Sequence, residues 1–141
     1  MNKKLLSIMF IIITSITLIG VAALAVMTNF FEKDTSGAPT IDEVVESSVD
    51  VPELTTNLAG GSIVRISLKL ETDSKKAKTE LEKREFQVKD VVISELSNMK
   101  ADQLAGTKGK EQLKKTVMEG INKLMQEGKV EKVYTTSFIL Q

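Results

Sequence analysis

The sequence contains no cysteine, no histidine and no tryptophan, and aromatic residues occupy only 4% of its 141 positions. Without cysteine the chain cannot form a disulfide or a thiolate zinc site. Without histidine it lacks the commonest metal ligand and the usual proton-transfer group near neutral pH. The formal net charge is zero, whereas proteins that bind nucleic acids usually carry a basic surplus. These absences argue against metal chemistry and against a nucleic-acid partner.

Charged residues are also absent from Leu5 to Phe31, a stretch of 27 residues dominated by Ile, Leu, Val, Ala and Met. Its first 23 residues would form a helix roughly 35 Å long, which is enough to cross a hydrocarbon core of about 30 Å. We therefore predict a transmembrane anchor over residues 5–31. Because Lys3 and Lys4 precede the anchor, the positive-inside rule places residues 1–4 in the cytoplasm and the remainder outside it.

A cleaved signal peptide is the alternative reading of this stretch, because Ala23-Leu24-Ala25 matches a small-residue cleavage site. The apolar run is longer than the usual h-region of about 7–15 residues and continues beyond the triplet, which favours an uncleaved anchor. With either reading the rest of the chain leaves the cytoplasm. Lys3 and Lys4 are the only charged residues before Glu32, so the rest carries 17 of the 19 bases and all 19 acids.

Residues 32–48 are polar and include Thr35-Ser36-Gly37-Ala38-Pro39, a run of turn formers that predicts a linker. Residues 49–141 then show the apolar periodicity of one small extracytoplasmic domain. A core of this size is modest, so assembly with other subunits would stabilise it.

Three strands are predicted within this domain. Residues 62–71 place alternate apolar side chains on one face, namely Val64, Ile66, Leu68 and Leu70. Residues 49–57 form a partner strand, joined by a Gly60-Gly61 turn, and Pro52 suits an edge position because it cannot donate to a ladder. The third strand is predicted over residues 130–140.

Two helices are predicted between the second and third strands. Asp73-Ser74 caps the first helix, which runs to about Met99. Its apolar face contains Leu81, Val88, Val92, Leu96 and Met99 at helical spacing. Phe86 and Ile93 are predicted to widen this face. The second covers about residues 108–127 and ends at Gly128, with Leu113, Val117, Ile121 and Leu124 on one side. The order β-β-α-α-β predicts an α+β domain with helices on one face of a small sheet.

Motifs for chemistry are scarce. Ser97-Asn98-Met99-Lys100 matches the S-x-x-K of penicillin-recognising enzymes, but the companion S-D-N and K-T-G elements are missing. Gly106-Thr107-Lys108-Gly109-Lys110 lacks the spacing of a phosphate-binding loop, so its glycines are better explained by a turn into the second helix. We predict no catalytic residue, no cofactor and no metal site.

Aromatic platforms of the kind that bind sugars would have to come from Phe86, Tyr134 and Phe138. The pattern assigns all three to an apolar packing face, so we predict that they belong to the core. The domain is therefore expected to act by contact, without a small-molecule substrate.

Several segments, taken in order, resemble the FliL family of flagellar basal-body-associated membrane proteins. They are the two lysines before the single span, residues 49–57 (VDVPELTTN), 68–71 (LKLE), 82–90 (EKREFQVKD), 109–111 (GKE), 128–134 (GKVEKVY) and the terminal 138–141 (FILQ). The likeness covers essentially the whole chain. Many relatives have a longer segment between membrane and domain than the one here.

The resemblance implies a non-catalytic protein of the cell membrane, located at the flagellar basal body. It also implies a domain similar to the stomatin/prohibitin (SPFH-like) fold, association with the MotA/MotB stator, and a ring that supports torque generation in swimming and swarming. The resemblance assigns no interface residue. An anchored module that binds the cell wall or a small ligand, without connection to motility, is the alternative function.

Overall fold

The computed structural model describes residues 2–31 and 37–141, and the chain divides into two compact units at the boundary between Ala38 and Pro39. The first unit is a helix, α1 (Lys3–Phe31). Its segment Lys3–Met27 has a mean hydropathy of 2.6 and no buried residue, which makes it long and apolar enough to cross a membrane. Hydroxyl groups within it donate to carbonyl oxygens of the preceding turn, as from Thr14 to Phe10 (2.9 Å) and from Thr17 to Ile13 (2.8 Å). These polar groups are thus satisfied without water, as a bilayer requires.

The second unit begins with a helix inside the segment that we predict as a linker. Residues 32–36 of that segment lie outside the described residues, and α2 (Ile41–Glu46) follows them. Thr40 and Glu43 form a capping box: Thr40 Oγ1 accepts from the Glu43 N–H (3.3 Å), and Glu43 accepts from the Thr40 N–H (2.8 Å). A Thr followed three residues later by Glu is a signature of a helix start, and it accounts for the helix here.

Three antiparallel strands form one sheet in the order β1 (Ser48–Asn57), β2 (Ile63–Thr72) and β3 (Val130–Leu140). The predicted strands are confirmed, with small changes at their ends. Gly60 and Gly61 have φ angles of +107° and +92°, which suits glycine and explains the tight connection from β1 to β2. Pro52 lies on edge strand β1 within an irregular stretch between Val51 and Leu54, as expected for a residue without an N–H.

The helices differ from the prediction in number and extent. The single helix predicted up to Met99 is wrong: α3 (Lys75–Lys83) and α4 (Glu85–Ser97) are separated at Arg84, whose ψ of 15° departs from helical geometry. Ser74 does cap α3, since its hydroxyl accepts from the Ala77 N–H (3.2 Å). A 3-10 helix (Ala101–Leu104), absent from the prediction, precedes α5 (Gly106–Asn122).

The predicted stop of the last helix at Gly128 is also wrong, because α5 ends at Asn122. Gly128 has a φ of +73° and lies against Asp73 and Ala77, so its role is the turn into β3. Asn122 contributes to the same turn by bonding both backbone groups of Val130, at 2.9 and 2.7 Å. The chain thus passes from α5 to the sheet through a well-bonded loop.

The core lies between the sheet and the helices. The alternating residues of β2 predicted for one face are at most 2% exposed. They pack against apolar stripes on the helices, which contain Leu81, Val88, Val92, Leu96, Leu104, Leu113, Val117 and Ile121. The fold is therefore α+β, with an N-terminal apolar helix and a three-stranded antiparallel sheet. The domain contains more elements than the predicted order β-β-α-α-β. A helix, α2, precedes the sheet, and four helices lie between β2 and β3.

Candidate interaction surface

A wide groove of about 850 Å³ runs along α3 and the start of α4. The loop that follows α5 forms its other wall. We call this feature the α3–α4 groove; its lining residues are Lys75, Lys76, Thr79, Glu80, Lys83, Arg84, Phe86, Gln87, Gln126 and Glu127. Its walls combine several positive charges with one aromatic ring.

Glu80 holds the two walls of the groove together. Its carboxylate accepts backbone N–H groups from the opposite wall, from Gln126 (3.0 Å) and from Glu127 (2.6 Å). It also accepts from Arg84 Nε (2.7 Å), four positions further along the chain. The N–H of Glu127 is the main reason that the pKa of Glu80 is lowered, and the guanidinium of Arg84 acts in the same direction. Glu80 is therefore an ionised structural anchor.

Arg84 lies at the junction of α3 and α4 and bonds to both helices. Besides Glu80 on α3, its Nη1 donates to Gln87 Oε1 on α4 (2.8 Å). These bonds fix the angle at the break between the helices. Through these bonds Arg84 links α3 to α4 beside the groove.

The structure contradicts the predicted burial of Phe86, which is 72% exposed. Each residue of an α-helix turns by about 100°, so Phe86 points roughly 200° away from Val88, on the opposite side of the helix. Ile93 follows buried Val92 by one position and is 38% exposed for a similar reason. The prediction that both residues widen the apolar face is therefore wrong, and Phe86 instead lines the α3–α4 groove.

The prediction of a core position for Tyr134 is wrong as well, because this residue is 39% exposed. It pairs with Lys69 on the face of the sheet opposite to Val133. Its hydroxyl donates to Glu71 Oε2 (2.5 Å), and this bond is the main cause of the raised pKa of Tyr134. Phe138, by contrast, packs against the core as predicted.

Glu71 is a buried carboxylate that the sequence does not reveal. Its residue is 3% exposed, and besides the bond from Tyr134 it has Lys132 Nζ at 3.8 Å. In the alternation of β2 it falls on the polar face, where exposure is the usual outcome. The side chain of Glu71 is buried by residues outside β2, which come together only in the folded domain.

Ser97 and Lys100 of the S-x-x-K match lie on either side of the connection between α4 and the 3-10 helix. Ser97 ends α4, Lys100 precedes the 3-10 helix, and the structure gives no hydrogen bond between them among the described residues. In the same described part of the chain, no cluster of acidic side chains could hold a metal ion. Gly106 has a φ of +75°, and a Cβ on Gly109 would lie 1.8 Å from the Gln103 carbonyl oxygen, so these glycines serve the turn into α5 as predicted.

Lys3 and Lys4, the residues predicted to orient the anchor, form the start of α1 and are exposed. The direction in which α1 crosses the membrane stays a prediction.

Comparison with known proteins identifies the family of the chain. Residues 48–141 match the family model of flagellar basal body-associated protein FliL. A flagellar protein FliL of Bacillus subtilis (strain 168) is 57% identical over 123 residues, which cover 87% of each chain. A flagellar protein FliL of Aquifex aeolicus (strain VF5) is 35% identical over 77 residues, which cover 55% of this chain and 48% of the relative.

The family model covers every strand of the sheet and the helices that pack on it. These matches favour a flagellar role over an anchored module unconnected to motility. With its single N-terminal apolar helix, the chain is a membrane-anchored protein and belongs to the FliL family of flagellar basal body-associated proteins.

Proposed function

We propose that this protein is a non-catalytic accessory of the flagellar motor that associates with the MotA/MotB stator and supports torque generation. The observation that carries the proposal is the FliL family match over residues 48–141, which contain all three strands of the sheet. FliL proteins form a flagellar accessory family that is not known for enzymatic activity. The resemblance of this chain to the family extends the proposal to an SPFH-like fold and to assembly as a ring around the stator.

Two physical features support action by assembly. The sheet domain has a single small core, so contacts between subunits would add substantially to its stability. It also exposes large apolar side chains, among them Ile41, Val45 and Phe86. Exposed apolar groups of this kind, when they lie together, mark contact surfaces.

Stator association is tested by purifying the affinity-tagged full-length chain from membranes and probing for MotB. We expect MotB to co-purify, and we expect fluorescent MotB to gather less at motors in a strain that lacks the gene. A matched control is the chain with its sheet domain removed after Ala38, which keeps the anchor. Normal MotB recruitment without the gene would contradict the proposal.

The proposed orientation has the N-terminus in the cytoplasm and the sheet domain outside the membrane. The absence of cysteine allows a clean test, because one introduced cysteine is then the only thiol in the chain. In intact cells, a membrane-impermeant maleimide should label Lys108→Cys, an exposed position of α5, and should not label Asn2→Cys. The reverse pattern would contradict this orientation.

A further inference from the structure

We propose that α2 of one copy docks into the α3–α4 groove of a neighbouring copy, with Ile41 and Val45 against Phe86. This inference rests on the ring assembly of the proposed function, and it names the two surfaces that join adjacent copies. It follows from two surfaces of complementary chemistry whose apolar residues remain exposed within a single chain.

The first surface is the outer face of α2. Ile41 is 73% exposed and Val45 is 56% exposed, and their spacing of four residues puts them on the same side of the helix. The helix is held in place by its capping box and by Thr72 on β2, whose hydroxyl donates to the Ser47 carbonyl oxygen (2.6 Å). Because α2 is ordered before binding, docking requires little further loss of conformational entropy.

The second surface is the α3–α4 groove. Its aromatic ring, Phe86, is 72% exposed, and the methylene chains of Lys76 and Lys83 provide further apolar area beside it. Neither lysine forms an ion pair within the described part of the chain. The groove therefore offers an apolar contact together with two cations that form no ion pair among the described residues.

The charges of the two surfaces have opposite signs. α2 contains three acids (Asp42, Glu43, Glu46) and no base. α3 contains four lysines (Lys75, Lys76, Lys78, Lys83) and two glutamates, of which Glu80 is engaged by Arg84 and the opposite wall. Complementary charges steer association and fix its register, so an acidic helix with an apolar ridge suits this groove.

Within one chain Ile41, Val45 and Phe86 all remain exposed. The ion pair of Glu46 with Lys75 (2.7 Å) joins α2 to one lining residue of the groove within the chain. A surface that binds a different surface on an identical copy is heterologous, and such contacts generate closed rings when the rotation between copies closes. Anchoring in one membrane raises the local concentration of copies, so a small interface is sufficient.

Disulfide trapping in membranes tests the interface, again using the absence of native cysteine. Full-length Val45→Cys and Phe86→Cys chains are co-expressed and mildly oxidised. We expect a disulfide-linked dimer when both chains are present and none when either is expressed alone. The chain that carries both substitutions should give a ladder of higher oligomers. Ile139→Cys, at an exposed position on the far side of the sheet, replaces Val45→Cys in the control pair and should give no dimer.

An amine-reactive crosslinker applied to the unsubstituted chain distinguishes failure of this interface from failure of ring assembly. A ladder from that reagent without the mixed disulfide dimer would overturn this interface and leave ring assembly standing. A dimer from Phe86→Cys alone would indicate a symmetric contact and would also overturn it. The absence of any ladder would contradict the ring itself, and with it this inference.

Charge reversal provides a second, independent measurement. The double substitution Lys76→Glu with Lys83→Glu should lower the yield of the ladder by about tenfold, the factor typical for loss of an important contact. Adding Asp42→Lys should restore part of that yield. Lys108→Glu, an exposed charge reversal on α5, is the control and should leave the ladder unchanged. Equal losses in the control and the double variant would overturn the assignment.

Discussion

Replacing Gly109 with alanine tests how the 3-10 helix and α5 are joined. A Cβ at this position would lie 1.8 Å from the carbonyl oxygen of Gln103 and 2.8 Å from its carbon. Non-bonded carbon atoms are most stable about 3.5–4.0 Å apart, so the backbone of the 3-10 helix would have to move by more than about 1 Å. Leu104 on that helix is part of the core, and the movement would disturb its packing.

Gly120 on the same helix provides the matched comparison. There an added Cβ would lie 2.8 Å from Cγ1 of Val91, the end of a side chain that can rotate away. Alanine gains about 1 kcal/mol over glycine in helix propensity at both positions. Overpacking against backbone costs about 3 kcal/mol, so Gly109→Ala should lose about 2 kcal/mol net, whereas Gly120→Ala should stay within about 1 kcal/mol of the original chain.

The assay is thermal unfolding of the full-length chain in detergent, followed by far-ultraviolet circular dichroism. A loss of about 2 kcal/mol corresponds to a fall in Tm of about 8–16 °C for a domain of this size. Gly109→Ala should therefore melt well below the original chain, and Gly120→Ala should melt near it. Equal Tm values for the two variants would refute the assignment of Gly109 to a close backbone approach.

Two further predictions concern ionisable groups. The raised pKa of Tyr134 comes mainly from its bond to Glu71. The phenolate absorbance of this single tyrosine should therefore titrate with a midpoint above the ordinary value of about 10. Glu71→Gln should lower the pH of that midpoint. The stability from this bond is present below pH 10 and lost as the pH rises through the folded pKa; an unchanged midpoint in Glu71→Gln would contradict it. The lowered pKa of Glu80 means that its hold on the opposite wall is present above about pH 4.3 and lost as the pH falls through the folded pKa. Glu80→Gln should accelerate hydrogen exchange of the Gln126 amide at neutral pH while exchange in β2 stays the same; equal acceleration in β2 would contradict a local role.

Local patterns in the sequence predicted the sheet well. The alternation from Val64 to Leu70 follows from the two-residue period of a strand. Residues 130–140 are rich in residue types that have high strand propensity. The helix breaks were harder to predict, because Arg84 is a good helix former and no glycine or proline marks the end of α3. The capping box at Thr40 was available in the sequence and would have indicated α2.

The candidate surface was largely beyond prediction from the sequence. The bonds from Gln126 and Glu127 to Glu80 join residues 46 and 47 positions apart, which no local pattern reveals. Exposure of Phe86 could have been predicted, since two helical positions from Val88 correspond to the opposite side of the helix. The capping box indicates α2, but the exposure of its apolar residues Ile41 and Val45 depends on how the helix packs in the fold.

The torque of single motors shows whether this protein supports the engagement of stator units. In a strain without the gene, a bead on a flagellar stub is followed at high load, where each engaged stator unit adds a step in rotation speed. If the protein supports the stator, fewer steps should occur without the gene and the final torque should be lower. Filaments should still assemble, and the full-length chain should restore both the number of steps and the torque. The same number of steps and the same torque with and without the gene would contradict it.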